Sequence, residues 1–194
     1  VYKTSKGDLS VTLLGHGTLM LKFNDQVIHV DPYLSVADYD KLPKADLIIL
    51  THDHGDHLDQ AAIDKIKTGK TEFIMNGTCY NKLKIGKVLK NGDKTEFSNI
   101  PIEVVAAYNI VNKRPDGKAY HPKREGNGYI FTFGDIKLYV AGDTENTPEM
   151  KALKHIDIAF LPMNLHYTMQ PELVGDAAKA FKPNYLYPYH HGSK

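Results

Sequence analysis

Residues 52–57 read His52-Asp53-His54-Gly55-Asp56-His57, three imidazoles and two carboxylates within six positions. A solvated surface is normally built from Lys and Glu, so a cluster of this composition points to metal ligation. His52 and His54 stand two apart and can face one side of an extended loop, while Gly55 permits the turn that carries Asp56 and His57 toward a second ion. The spacing suits two metals rather than one. Imidazole and carboxylate donors without thiolate suit zinc first, with manganese or iron as alternatives. Two divalent ions sharing a water lower its pKa from about 15.7 toward about 7, so hydroxide is available at neutral pH, and they polarise a carbonyl or phosphoryl oxygen of the substrate. Asp56 is the candidate catalytic residue, orienting that hydroxide while it binds the second ion. The single cysteine, Cys79, excludes an internal disulfide and a paired-thiolate zinc site, and is expected as a small buried hydrophobe.

Such a loop needs a rigid support. The apolar run at residues 47–50 feeds directly into it and reads as a strand, as do residues 10–14, 19–23, 27–30, 102–107, 129–133 and 136–141. Phe133-Gly134-Asp135-Ile136 joins the last two through a tight turn. Helical patterns cover residues 60–67, 148–153 and 171–181, the last two opening on Pro148 and Pro171 at first-turn positions. Runs of strands with helices between them predict packed sheets with helices outside, an α/β layered arrangement. No glycine-rich phosphate loop argues for a nucleotide fold. The polar stretch 109–127 lacks periodicity and is long enough to be a functional loop.

At 194 residues the chain fits one domain with a core that needs no structural metal, so any ion is expected to serve chemistry. With 24 basic and 23 acidic residues, a net charge of +1, no nucleic-acid partner is expected. No apolar run reaches the ~18 residues that span a bilayer, and a soluble chain is expected. It begins at Val1, which fits a processed export signal or a trimmed chain and leaves cytoplasmic, periplasmic and exported locations open.

Thr51-His52-Asp53-His54-Gly55-Asp56-His57 behind an apolar strand resembles the H-x-H-x-D-H signature of the metallo-β-lactamase superfamily. The resemblance covers nearly the whole chain, through Gly15-His16-Gly17-Thr18, Val27-Ile28-His29-Val30-Asp31-Pro32, Tyr139-Val140-Ala141-Gly142-Asp143-Thr144 and Pro188-Tyr189-His190-His191-Gly192. The chain is similar to the branch that holds ascorbate-6-phosphate lactonase, N-acyl-phosphatidylethanolamine phospholipase D and many bacterial hydrolases. That branch implies a four-layer αββα sandwich with the metals at one edge. The chain ends four residues after His190, where relatives usually continue, which leaves a missing final element or a homo-oligomer open.

Carried over by position, the resemblance implies that His52 and His54 bind a first metal, that Asp56, His57 and His190 bind a second, and that Asp143 bridges the two. One ligand departs from the pattern: Asn109 stands where the family places a histidine, and His121 on the polar loop is the expected substitute. His16 and Asp31 are expected to support the ligands without binding metal. His190 is preferred over His191 because glycine follows one residue later in the family. His166 and Tyr167 are expected at the substrate pocket, His29 in the core and His155 in solvent. Lys123 and Arg124 read as solvated, with contact to a substrate phosphate or carboxylate as the alternative. The implied function is metal-dependent hydrolysis of an ester, lactone or phosphodiester of a small substrate; the competing reading, prompted by Asn109, is a catalytically degenerate metal-binding or partner-binding protein of the same fold.

Overall fold

The computed structural model describes residues 1–191, so Gly192 of the last sequence landmark lies outside the described residues. The first half folds as β1 (Tyr2–Thr4), β2 (Gly7–Gly15), β3 (Thr18–Phe23), β4 (Gln26–Val30), β5 (Leu47–Ile49), α1 (Gln60–Ile66), β6 (Glu72–Met75), α2 (Gly77–Leu83) and β7 (Lys87–Val88). The second half gives β8 (Lys94–Phe97), β9 (Ile100–Ala107), β10 (Gly126–Phe133), β11 (Ile136–Val140), α3 (Pro148–Lys151), β12 (Ile158–Pro162), α4 (Pro171–Phe181) and β13 (Tyr185–Tyr189). Strands β1 to β7 form one sheet in chain order, and the other runs β13-β12-β11-β10-β9-β8. Each sheet begins as an antiparallel meander and ends in parallel strands, β4-β5-β6-β7 and β11-β12-β13. The parallel connections require crossovers, and the helices lie in them.

Alternation along the strands sets the layers. In β5, Leu47 and Ile49 join the core between the sheets with Ile28, Ile102, Phe131 and Phe160. Ile48 and Leu50 face outward into a second cluster with Ile63, Ile66 and Cys79 beneath α1 and α2. On the far side Val105, Tyr139 and Leu161 pack against Val174, Ala177 and Phe181 of α4. The result is the expected αββα sandwich, with Cys79 buried and its thiol pushed up in pKa by that burial. No helix of the described residues is long and apolar enough to cross a membrane.

All seven expected strands and three expected helices are present within a few residues, although α3 stops at Lys151 rather than 153. Absent from the sequence reading were β1, β6, β7, β8, β12, β13 and α2. The β8–β9 hairpin turns at Ser98 and Asn99, both in the left-handed region (φ 45° and 62°), without the Asn-Gly or Asp-Gly pair that marks such turns. His29 is fully buried and its Nε2 lies 3.1 Å from the carbonyl of Pro43; burial holds its pKa down at about 4. His155 is exposed.

Candidate metal centre

Six strands deliver side chains to one edge of the sandwich. His16 follows β2, Asp31 follows β4, His52 follows β5, Asn109 follows β9, Asp143 follows β11 and His190 follows β13, each within three residues of the strand's end. Loops beyond carboxyl ends of strands are where open α/β sheets place ligands, because the strands fix them rigidly while leaving the tips free to carry polar groups. His16, Asp31 and His190 hold left-handed backbone angles (φ 49°, 47° and 52°), conformations that cost energy outside glycine and are retained where the surroundings fix them.

His52, His54 and His121 form one group, with a ring nitrogen of each within 4.8 Å of the others. Thr51 Oγ1 donates to Asp31 Oδ2 at 2.5 Å and so accepts from His52 Nδ1 at 3.0 Å, which leaves His52 Nε2 as the lone-pair nitrogen, 3.1 Å from His54 Nδ1. A second group comprises His16, Asp56, His57 and His190. His57 Nδ1 donates to Asp31 Oδ2 at 2.8 Å, and its Nε2 is turned into the centre. His16 Nε2 lies 2.7 Å from Asp56 Oδ2 and His190 Nε2 lies 3.4 Å from it, so His16 steadies that carboxylate.

Asp143 stands between the groups. Its Oδ2 lies 3.2 Å from His121 Nε2 and 3.9 Å from His52 Nε2; its Oδ1 lies 3.5 Å from both His57 Nε2 and His190 Nδ1. His57 Nε2, Asp143 Oδ1 and His190 Nδ1 are buried and have no hydrogen-bond partner among the described residues. Buried polar atoms are almost always satisfied, so three converging orphans are the arrangement a cation would complete. Burial lowers the pKa of His57, but Asp143, Asp31 and Asp56 outweigh it and raise the value to about 9, so the pocket favours positive charge. Burial works to raise Asp56 and Asp143, but hydrogen bonds from His16 and His190 to Asp56, and the charges of His57 and His190 beside Asp143, hold both carboxyls well below their usual range. Burial and neighbouring imidazoles keep His52 and His54 low, hence neutral, the form that ligates.

Asn109 does not fill the histidine position it occupies in the sequence pattern; it aims another histidine. Its Oδ1 accepts from the backbone N–H and from Nδ1 of His121, both at 2.7 Å, so His121 Nε2 is left facing Asp143. Its Nδ2 donates to Glu145 Oε1 at 3.1 Å and to the carbonyl of Tyr167 at 2.9 Å. Glu145, buried, also accepts from the backbone N–H groups of Ile110, Val111 and Asn112 at 2.9, 2.9 and 2.7 Å, pinning the start of the polar loop. The sequence reading missed Glu145; a carboxylate immediately after the Gly142-Asp143-Thr144 landmark was its only trace. Asn109→Leu is expected to weaken metal binding about 10- to 100-fold, the usual effect of removing a partner that orients a ligand. Equilibrium competition with a chelator measures this, and unchanged affinity in a folded variant would show that His121 needs no such guide.

A cleft of about 480 Å³ opens over the centre, lined by His54, Asp56, Arg114, Tyr120, Asn164 and Tyr167 among others. Tyr167, expected from the sequence at a substrate pocket, is among the residues that line this cleft. His166 does not line the cleft: its backbone is left-handed (φ 74°) and its side chain is exposed, because a turn closed by the Tyr167 N–H on the Asn164 carbonyl presents those two residues instead. Lys123 is tied to Glu149 at 3.1 Å and to the Tyr108 hydroxyl at 3.2 Å, and with Arg124 it lines a different groove. His191 is exposed. The basic residue of the cleft is Arg114, which the sequence reading did not single out.

Residues 10–190 match the Beta-lactamase superfamily domain (Lactamase_B_3), and the chain belongs to that family. It is 30% identical over 95% of its length to a UPF0173 metal-dependent hydrolase of Thermococcus onnurineus, covering 85% of that protein. A crystal structure from Parabacteroides distasonis, of a protein named among the metal-dependent hydrolases, superposes with a TM-score of 0.94 at 49% identity, covering 100% of this chain and 87% of that one. These relatives are archaeal as well as bacterial, wider than the bacterial circle the sequence resemblance indicated. CmlA, a diiron β-hydroxylase from Streptomyces venezuelae, shares the fold with a TM-score of 0.73 at 14% identity, covering 97% of this chain and 46% of that chain. The fold by itself thus does not name a reaction.

Proposed function

We propose that this protein is a metal-dependent hydrolase that holds two divalent ions and cleaves an ester, lactone or phosphodiester bond of a small substrate. The observation that carries the reading is Asp143, whose two carboxylate oxygens face two separate sets of imidazoles. His52, His54 and His121 hold the first ion, Asp56, His57 and His190 hold the second, and Asp143 is shared. Zinc suits this all-nitrogen and oxygen donor set best, with manganese or iron as alternatives. Bound there, the ions supply a Lewis acid for the carbonyl or phosphoryl oxygen and a water acidic enough to ionise near neutral pH.

The chain's own residues do the rest. Asp31 holds the proton on the outer nitrogen of His57 directly and of His52 through Thr51, so the inner nitrogens are the ones that would take an ion, His57 giving up its second proton as the ion binds. Asp56, held ionised, accepts a hydrogen bond and can orient an attacking water without consuming its proton. His16 keeps Asp56 in place. The degenerate reading drew on Asn109, and His121 facing Asp143 gives that asparagine a different explanation. The names of the relatives support the reading as well.

Elemental analysis of protein purified without chelator tests it. About two ions per chain are expected, with fewer in His121→Ala, together with turnover of a panel of lactones, aryl esters and phosphodiesters that chelator abolishes and added metal restores. One ion or none in the parent chain, or turnover indifferent to chelator, overturns it.

A further inference from the structure

The cleft over the metal centre carries one unpaired cation among the described residues. Arg114 lies on the polar loop, with its guanidinium carbon 5.5 Å from the centre of the Tyr120 ring, and its Nη2 donates to the Tyr120 carbonyl at 3.2 Å. Tyr120 is itself braced edge-to-face by Tyr167 at 5.0 Å. Asp116 faces Lys118 at 4.0 Å, Lys82 pairs with Asp53 at 2.8 Å and Lys123 pairs with Glu149, so none of these carboxylates is tied to Arg114. A guanidinium held 5.5 Å over an aromatic ring at the lining of a cleft is arranged for a carboxylate or phosphoryl group.

His54 gives this placement a second reason when the first metal group is occupied. Its Nδ1 faces His52 Nε2 at 3.1 Å within the first metal group, and with an ion held between those two nitrogens the proton of the neutral ring would sit on Nε2. That nitrogen lies 3.4 Å from Arg114 Nη2. Without an ion that nitrogen can accept from the guanidinium; with one bound it would be a second N–H donor, and one acceptor placed between the two groups and the open cleft would satisfy both.

We propose that Arg114, with the outer nitrogen of His54, forms an anion subsite at the mouth of the cleft, and that the substrate carries a carboxylate or phosphoryl group beside the bond that is cleaved. The proposal rests on the hydrolase reading through the role of His54. Among the esters, lactones and phosphodiesters proposed above, it narrows the substrate to those that carry an anionic group, and it assigns the recognition of that group to Arg114.

Isothermal calorimetry on metal-loaded protein, with benzoate and phenylphosphonate as probes and benzamide as the neutral control, compares the parent with Arg114→Met and Arg114→Lys. Direct attraction of the anions to the ions is common to all three proteins, so the ratio of dissociation constants isolates the side chain. Arg114→Met is expected to bind the anions about tenfold more weakly, the scale of an exposed charge-assisted contact, with Arg114→Lys between and the gap shrinking as salt rises. Loss for benzoate alone assigns the subsite to a carboxylate, loss for phenylphosphonate alone to a phosphoryl group, and loss for both to either. Binding within twofold of the parent for both anions overturns the proposal. Metal content of the same preparations reports separately on the hydrolase reading, so a chain without metal and a chain without an anion subsite give different results.

Discussion

Asp143→Asn is expected to fold yet lose at least one of the two ions proposed for the centre, and kcat/KM for any ester or phosphodiester the parent cleaves is expected to fall about a thousandfold. The substitution keeps the size of the side chain and removes its charge. It also places an NH2 donor at one of the two carboxylate positions, where it points either at the nitrogens of His121 and His52 or at those of His57 and His190. Whichever way the amide turns, one metal group meets a donor where it needs an acceptor. Asp143 is only 4% exposed, so water cannot take over the missing lone pairs. Elemental analysis and kcat/KM on one preparation read both effects, and circular dichroism shows that the fold survives. Two ions retained with near-parental kcat/KM would remove Asp143 from the shared position.

Asp31→Ala is expected to cost about 4 kcal/mol of folding stability and to reduce occupancy of both metal groups together. Asp31 is fully buried and touches neither group's centre, but three donors converge on its carboxylate: the Thr51 N–H at 2.8 Å, the Thr51 hydroxyl at 2.5 Å and His57 Nδ1 at 2.8 Å. Truncation leaves those donors unsatisfied in the interior and frees His52 and His57 to adopt the tautomer that turns a proton toward the ions. Alanine at φ 47° adds about 1 kcal/mol of backbone strain, which Asp tolerates better. Urea unfolding in the presence of chelator isolates the stability loss from metal linkage. A loss under 1 kcal/mol, or depletion of one ion alone, would mean that Asp31 does not couple the two groups.

Much of the centre was readable in the chain because its signal is local. Six consecutive residues carry His52, His54, Asp56 and His57, and the strand before them is apolar on both faces because it is buried on both, between the sheets and under α1. The central strands were legible for the same reason. The strands that escaped notice lie mostly at sheet edges: β1 and β7 close one sheet, β8 and β13 the other. Lys94–Phe97 is largely polar, and Pro188 in β13 argues against a strand until the sheet order shows β13 at an edge, where proline is tolerated. Pairing partners, rather than periodicity, make these segments strands.

The amino-acid sequence by itself determined which residue types could bind metal, which strand holds them and which superfamily they belong to, since each of these is written in short contiguous stretches. Only the tertiary structure decided how His121 is aimed, through Asn109 twelve positions away and Glu145 36 positions beyond Asn109. Only it joined Asp31 to His57 and, through Thr51, to His52, and brought Arg114 from the polar loop to His54. Hydrogen bonds and charge pairs act over about 3 Å whatever the separation along the chain, so a site assembled from six strand ends acquires its proton positions and its selectivity only when the two sheets close against each other.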